Sequence, residues 1–238
     1  MADRLLDFYS SGSFYNNNTT NSFASKWKAL LVTDILETIP QQLKVIADVG
    51  SGDCMVARHI ANIKSDLLID CYDVTPPEHR FNIDEIPQLT FYPLSALESS
   101  DKQYDLIMAL DVIEHVACPR TFLSSLAMRT RRVLLHVPLD LSVVSMLRPS
   151  ILRGQLESAG HITFYNVETL RIFFHSMGMY PTVFKLTDAY RQFPQNPTLA
   201  QKLVRLMRTV SACQSRTFSA NLLGGQTAII LIEFNHVE

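Results

Sequence analysis

The sequence predicts an α/β fold built on a mostly parallel β-sheet with helices on both faces. Short apolar runs of strand length alternate with segments of helical periodicity along most of the chain, and this alternation is typical of parallel sheets. The first apolar run, 44–49, leads directly into a tight turn at Gly50–Gly52, as a buried strand does before a helix. The 238 residues, of which 47% are hydrophobic, are enough for one large domain.

Seven strands are expected from apolar runs bounded by turn residues. They are residues 44–49, 67–72, 89–92, 104–110, 132–137, 181–186 and 227–234. Helical periodicity predicts helices over 21–40, closed by Pro40, over 55–63, and over 119–128 with Pro119 in the first turn. A further helix is expected between Asn166 and Gly178, because asparagine caps helix N-termini and glycine ends helices.

The expected organisation is a single domain over residues 1–238. Its parts are an N-terminal lid and helix (1–40), a core (44–186), a basic helical insertion or cap (187–222) and the last strand (226–235). The insertion overlaps a basic segment, residues 185–216, which contains six basic residues and one acid and so carries +5, leaving −7 on the rest of the chain. An amphipathic helix within it is expected to bury one apolar stripe, formed by Leu199, Leu203, Leu206, Met207 and Val210.

Composition excludes several classes of protein. The net charge of −2 and the pI of about 6.4 argue against a nucleic-acid binder that works through bulk electrostatics. The four cysteines form no CxxC pair, so no zinc motif and no disulfide framework is expected. No apolar run approaches the ~20 residues of a membrane span, and the N-terminus carries acids rather than a signal peptide. A cytoplasmic protein is the expectation.

The glycine turn and two acids indicate a nucleoside-binding site at the carboxyl ends of the strands. A dinucleotide fingerprint needs a third glycine, but Met55 occupies that position. Asp48 would repel a pyrophosphate and suits a cationic group. Asp73 follows Gly52 by 21 residues, where an acid accepts ribose hydroxyls of either NAD or S-adenosylmethionine. A plain structural turn is the alternative.

These motifs resemble the class I S-adenosylmethionine-dependent methyltransferases, particularly the small-molecule branch that includes the ubiquinone-biosynthesis type. The resemblance covers about residues 44–186. It rests on motifs in the family's order: 48–52, 73–74, 104–116, 160–165, 168–170 and 178–179. It implies a Rossmann-like class I methyltransferase fold, whose seven-stranded, mostly parallel sheet has its last strand antiparallel and inserted beside the sixth.

The resemblance also implies a set of residues that bind S-adenosylmethionine. The glycine turn would line the methionine part and Asp73 would hold the ribose. Ser95 stands where relatives usually carry an acid that binds the adenine amino group, and a hydroxyl accepts that bond more weakly. Asp111 and Val112 would face the methionine or the acceptor. The full set is Asp48, Gly50, Ser51, Gly52, Asp73, Val74, Ser95, Ala96, Asp111 and Val112.

Three histidines lie near expected strand ends and are candidates for a general base, which methyl transfer requires only when the nucleophile arrives protonated. His161, in a loop before a helix, is expected to contact substrate or act as the base. His115 is the second candidate, with a ring bound to backbone as the alternative. His136 lies inside a strand and is expected to be a core residue. Asp111, Glu114 and Asp140 match no metal motif, so no metal is expected.

The acceptor is expected to be a small molecule, methylated at oxygen or nitrogen. Tyr9, Phe14 and Tyr15 could form a lid that excludes water. The basic segment could attract an anionic substrate or be a solvated helix face. No membrane or nucleic-acid partner is expected. The alternatives are an RNA- or protein-directed methyltransferase that docks through the basic segment, and a non-catalytic scaffold that binds the cofactor. The sequence does not indicate the oligomeric state.

Overall fold

A computed structural model describes residues 22–76, 83–192 and 198–234. Its strands form one seven-stranded sheet in the order β3-β2-β1-β4-β5-β7-β6, which confirms the predicted fold class. The strands are β1 (Val45–Val49), β2 (Leu68–Asp73), β3 (Leu89–Pro93), β4 (Leu106–Leu110), β5 (Arg132–Pro138), β6 (Pro181–Thr187) and β7 (Thr227–Glu233). β7 pairs antiparallel with β6, as the resemblance implies.

Ten α-helices occur in the described residues. They are α1 (Ser22–Leu36), α2 (Met55–Ile63), α3 (Leu94–Glu98), α4 (Pro119–Ala127), α5 (Val143–Leu147), α6 (Ser150–Ala159), α7 (Val167–His175), α8 (Ala189–Gln192), α9 (Leu199–Gln214) and α10 (Arg216–Leu223). The sequence predicted α1, α2, α4 and α7 closely, and the predicted helical insertion over 187–222 contains α8, α9 and most of α10. The sequence did not predict α3, α5 or α6. None of these helices is both long and apolar enough to cross a membrane.

The chain divides into two compact units. Among the described residues, the first unit holds those up to Val112 together with 121–134 and 233–234, and the second holds 113–120 and 135–232. The single domain expected over residues 1–238 stays a prediction.

The first unit is built on parallel strands whose central members are largely buried. β1 pairs with β2 and β4, so that Asp48 lies beside Cys71 on one side and Met108 on the other. Ile46, Ile69 and Leu106 are fully buried, as expected for strands covered on both faces. This register places the ends of β1 and β2, which carry Asp48 and Asp73, at the same edge.

The second unit contains the antiparallel pair β6–β7 and most of the short helices. The side chain of Asn166 accepts a hydrogen bond from the Thr169 N–H at 2.8 Å at the start of α7, which confirms the predicted cap. Gly178, just beyond α7, has a left-handed φ of 68°. Ser142 and Ser145 form a similar reciprocal cap for α5.

The prediction that the apolar stripe of α9 is buried is wrong. Leu199 is 85% exposed and Leu203 61% exposed, and Leu206, Met207 and Val210 are exposed as well. The opposite, polar side of α9 packs instead. The Arg208 guanidinium donates to the Leu223 carbonyl at 3.0 Å, and the Ser211 hydroxyl to Ser219 at 2.8 Å. Hydrogen bonds of this kind leave no trace in hydrophobic periodicity.

Candidate functional site

No side chain fits at Gly50 in the glycine turn of the first unit. Its φ is +77°, and a Cβ built there would lie 2.6 Å from Cγ2 of Val112. The N–H groups of Gly50 and Ser51 both donate to the Tyr72 carbonyl, at 2.8 and 3.1 Å. Gly52 is also left-handed, with a φ of 58°. The turn therefore requires glycine for its backbone, and Val112 closes over it.

Asp73 is bound directly to this turn. Its Oδ2 accepts a hydrogen bond from the Gly52 N–H at 2.7 Å, and its Oδ1 accepts one from the Thr75 N–H at 3.2 Å. Asp73 is 5% exposed. The structure thus joins the two motifs that the sequence analysis connected only by their spacing.

Asp48 is a buried acid whose ionisation is unfavourable. It is 2% exposed, and the pKa of its carboxyl group is raised to about 7. Burial is the main cause; the charges of Asp73 and Asp53 also raise the pKa, while the Lys28 ammonium lowers it. A cationic ligand would stabilise the ionised carboxylate, and an anionic pyrophosphate would not. This pair of neighbouring acids beside a close-fitting glycine turn fits the positively charged S-adenosylmethionine.

Lys28 is a residue that the sequence analysis missed. It lies on α1 and forms an ion pair with Asp111, and its charge also acts on Asp48. Asp111 has a left-handed φ of 56°, which is uncommon for a residue other than glycine. The signal in the sequence is weak, because nothing in the spacing of residues 28 and 111 indicates that they meet.

The remaining residues expected to bind cofactor follow strands β2 and β3. Val74 follows β2 and is 43% exposed. Ser95 and Ala96 lie in the first turn of α3, directly after β3. Tyr9, Phe14 and Tyr15, the expected lid, fall outside the described residues.

In the second unit, His115 and His161 lie together with their rings in edge contact. The ring centroids are 4.9 Å apart at an interplanar angle of 75°. Nδ1 of His161 lies 2.6 Å from Oδ2 of Asp140, and Nδ1 of His115 lies 3.1 Å from the Gly160 carbonyl. A carbonyl oxygen can only accept, and an ionised carboxylate only accepts. Both Nδ1 atoms therefore carry a proton, and the neutral form of each ring would have its lone pair on Nε2.

Glu114 ties the two histidine segments to one another. Its backbone carbonyl accepts hydrogen bonds from the N–H groups of Ile162 and Thr163, at 2.9 and 3.0 Å. Its carboxylate is 1% exposed and lies 3.9 Å from Nε2 of His115. Burial, followed by the charge of Glu114, raises the pKa of Tyr165 to about 12.

The histidine cluster, which we define as Glu114, His115, Asp140 and His161, also has the chemistry of a cation site. One ligand atom from each of Glu114, His115 and His161 lies within 4.8 Å of the others. The sequence analysis missed this grouping and considered Asp140 with Asp111 and Glu114. In the structure Asp140 instead binds His161.

His136 has the core position that its strand predicts. It is 3% exposed, and its Nε2 lies 2.8 Å from Oγ1 of Thr227. That hydroxyl also contacts Thr187. The Thr227 hydroxyl gives Nε2 of His136 a hydrogen-bond partner within the protein interior.

Fold and site together define a class I methyltransferase, and comparison with known proteins agrees. The family model described as "Methyltransferase domain" matches residues 22–181, about two thirds of the chain. The chain belongs to this family. The predictions of an S-adenosylmethionine-dependent methyltransferase, and of S-adenosylmethionine as its cofactor, are thereby confirmed at the level of the family. No curated protein matches the chain.

Solved structures share the fold at low sequence identity. One is a protein assigned as a sarcosine dimethylglycine methyltransferase from Galdieria sulphuraria (16% identity, TM-score 0.58, 88% of this chain and 84% of that one). Another is the plantazolicin methyltransferase BpumL in complex with a monoazolic desmethylPZN analog and SAH (15% identity, TM-score 0.57, 95% of this chain and 89% of that one). A third is phosphoethanolamine N-methyltransferase 2 from Haemonchus contortus with S-adenosyl-L-methionine (12% identity, TM-score 0.56, 84% of this chain and 51% of that one).

Proposed function

We propose that this chain transfers a methyl group from S-adenosylmethionine to an oxygen or nitrogen atom of a small-molecule acceptor, with His161 as the general base. The carrying observation is the pair formed by His161 and Asp140, 2.6 Å apart, in a chain that belongs to a methyltransferase family. The His161 side chain is 11% exposed, so a proton that it accepts is sheltered from bulk water. The structural neighbours include a phosphoethanolamine N-methyltransferase, and this supports a small-molecule acceptor.

S-adenosylmethionine supplies an electrophilic methyl group on a positively charged sulfur. The protein residues proposed to hold it are those of the first unit. Asp48, Gly50, Ser51 and Gly52 take the methionine part, and Asp73 with Val74 takes the ribose. The list is completed by Ser95 and Ala96 for adenine, and by Asp111 and Val112 for the methionine part or the acceptor.

His161 can remove the proton of an acceptor hydroxyl or ammonium group through Nε2. Asp140 fixes the tautomer, because its carboxylate accepts the Nδ1 proton, and it stabilises the imidazolium that forms. His115 packs against the ring of His161 and limits its rotation. Tyr9, Phe14 and Tyr15 are proposed to cover the acceptor.

An RNA- or protein-directed enzyme is less well supported by the basic segment. Asp188 pairs with Arg191 and Arg216, at 3.5 and 3.6 Å, and Arg208 binds the Leu223 carbonyl. At least three of the segment's six basic side chains, Arg191, Arg208 and Arg216, are therefore held by contacts within the unit. These guanidinium groups are less available for direct hydrogen bonds to a polyanion or to a strongly anionic substrate.

The test measures release of S-adenosylhomocysteine with panels of small hydroxyl and amine acceptors, with tRNA and with protein, at low and high salt. Turnover with one small-molecule panel and a flat salt response is expected. Turnover with tRNA alone that falls steeply with salt would support the RNA-directed alternative. Cofactor binding without release in any panel would support the scaffold. Full loss of turnover in EDTA that Mg²⁺ or Zn²⁺ restores would contradict His161 as the base, because its lone pair would then bind the ion.

A further inference from the structure

The turn that ends α6 contacts three members of the histidine cluster. The Gln155 carbonyl accepts a hydrogen bond from the His161 N–H at 3.3 Å, and the Gly160 carbonyl lies 3.1 Å from Nδ1 of His115. The side chain of Gln155 also reaches Asp140, with its Nε2 3.3 Å from Oδ1 of the carboxylate. Gly160 closes the turn with a left-handed φ of 77°, which glycine adopts readily. Gln155 therefore contacts both His161 and its acidic partner.

The two carboxylate oxygens of Asp140 have different partners. Oδ2 lies 2.6 Å from Nδ1 of His161, and Oδ1 lies 3.3 Å from Nε2 of Gln155. An ionised carboxylate only accepts hydrogen bonds, so the Gln155 amide must present its nitrogen to Asp140. Two donors on the two oxygens restrict rotation of the carboxylate group. The amide is neutral, so the negative charge of Asp140 stays available to a protonated His161 ring.

We propose that Gln155 is a positioning residue for the pair formed by His161 and Asp140. Its side chain holds the carboxylate of Asp140 in the orientation in which Oδ2 accepts the Nδ1 proton of His161. Its carbonyl holds the backbone of His161 at the same time. This inference rests on the proposed function, because the orientation of Asp140 affects turnover only if His161 is the base. Gln155 acts through Asp140 and not on the acceptor.

Substitution of the Gln155 side chain separates positioning from the support of the backbone. The carbonyl that accepts from His161 belongs to the main chain, so it is kept in every variant. Gln155→Met has a side chain of similar length that donates no hydrogen bond. Gln155→Glu has the same shape but places a second carboxylate against Asp140, where two like charges repel. Both variants therefore change the contact with Asp140 and retain the turn.

The first experiment measures the tautomer of the His161 ring by NMR, in a chain labelled with ¹⁵N at histidine and at an alkaline pH where the ring is neutral. His161→Ala assigns the signals. The wild type is expected in the Nδ1–H form, and Asp140→Asn mainly in the Nε2–H form. Gln155→Met is expected to show a mixture of both. Gln214→Met, the same substitution at an exposed residue of α9, is the matched control. A Gln155→Met tautomer identical to the wild type would overturn the proposal.

The second experiment is a double-mutant cycle on the release of S-adenosylhomocysteine, with the acceptor that the small-molecule panels identify. Gln155→Met is expected to lower kcat roughly tenfold, the low end for a hydrogen bond to a charged group, with KM and cofactor affinity unchanged. Gln155→Glu is expected to lose more. In an Asp140→Asn background, Gln155→Met is expected to have no further effect.

The two experiments separate the failure of this inference from the failure of the proposed function. Additive losses in the cycle would overturn the positioning role, because Gln155 would then act independently of Asp140. A wild-type chain without turnover in any panel would contradict the proposed function. The tautomer of His161 needs no acceptor, so it would still decide whether Gln155 orients Asp140.

Discussion

The glycine turn of the first unit and the histidine cluster of the second differ in how they are encoded. The turn joins Asp48, Gly50 and Gly52 within five residues, and Asp73 reaches it from the next parallel strand. The cluster takes its members from three segments of the second unit, joined through the Glu114 and Gly160 carbonyls and the Asp140 carboxylate. The turn is a local backbone device, whereas the cluster exists only after folding.

The largest expected effect comes from a change in the histidine cluster, which is expected to impair catalysis and to leave cofactor binding by the first unit intact. His161→Ala is expected to lower kcat by roughly 10²–10⁴-fold, the contribution typical of a general base, while calorimetric affinity for S-adenosylmethionine stays unchanged. His175→Ala is the matched control, because His175 is exposed at the end of α7. Full turnover of His161→Ala across pH would remove His161 from the mechanism.

The role of Asp140 is tested by the conservative variant. Asp140→Asn keeps the size of the side chain but can donate to Nδ1 of His161, which favours the wrong tautomer. It is expected to lower kcat with little change in KM and to alter the pH profile. A change in KM alone would make Asp140 a binding residue.

The next prediction concerns the glycine turn and compares the stability effects of alanine at three glycines. Gly154 lies within α6, where the Cβ of an alanine would have no atom within 4 Å. Gly178 also has no atom within 4 Å of a Cβ, but its φ is +68°. Gly50 has a φ of +77°, and a Cβ there would lie 2.6 Å from Val112. Alanine at Gly154 is expected to stabilise by about 0.5–1 kcal/mol. At Gly178 it is expected to cost about 1–2 kcal/mol, and at Gly50 more than that. Chemical denaturation measures all three.

The double variant Gly50→Ala/Val112→Ala separates the two causes at Gly50. Removal of the Val112 methyl groups is expected to recover the steric part of the loss and to leave the part due to the positive φ. Equal stability of Gly50→Ala and Gly178→Ala would show that Val112 is not what restricts the turn.

The strands were predictable from sequence because each is a mainly apolar run between turn residues. The same reasoning failed for α9, where the stripe of Leu203 and Leu206 predicts an apolar face but not what covers it. α5 was missed because it has only five residues, and α6 was missed because it buries no residue completely. The reciprocal cap of α5 consists of local hydrogen bonds, which apolar periodicity does not detect.

The candidate site was predictable to different extents in the two units. Asp48, the glycines and Asp73 follow from a motif whose geometry is set by adjacent parallel strands. Lys28 and Asp140 did not follow, because each meets its partner through contacts between segments that are distant in sequence. His161 was found from its place in a loop, but the partner that makes it a candidate base was not.

The next prediction tests Asp73, the acid that is hydrogen-bonded to the glycine turn. Asp73→Ala is expected to weaken S-adenosylmethionine binding by ~1–3 kcal/mol, or roughly 5–150-fold in Kd, if its carboxylate accepts ribose hydroxyls. Asp101→Ala is the control, because Asp101 is exposed in the same unit. Asp73→Asn keeps an acceptor for the Gly52 N–H and is expected to lose less. Unchanged calorimetric affinity in Asp73→Ala would overturn the ribose assignment.

The smallest expected effect comes from the titration of Asp48. It makes both the stability of the unligated protein and its affinity for the cofactor depend on pH. Its pKa is raised to about 7, by burial first and then by Asp73 and Asp53 against the opposing charge of Lys28. A raised pKa means that the folded state binds the proton more tightly than the unfolded state does. The stability contributed by protonated Asp48 is therefore complete below about pH 4 and is lost as the pH rises to about 7.

Cofactor binding has the opposite dependence, because a cationic ligand favours the ionised carboxylate. If only the ionised form binds, affinity is expected to rise about tenfold between pH 6 and pH 8, with proton release below pH 7 detected by calorimetry in buffers of different ionisation enthalpy. Asp48→Asn is expected to remove both the proton release and the slope. A slope that survives in Asp48→Asn would assign the titration to another group, and a slope absent from the wild type would mean that Asp48 does not face the cation.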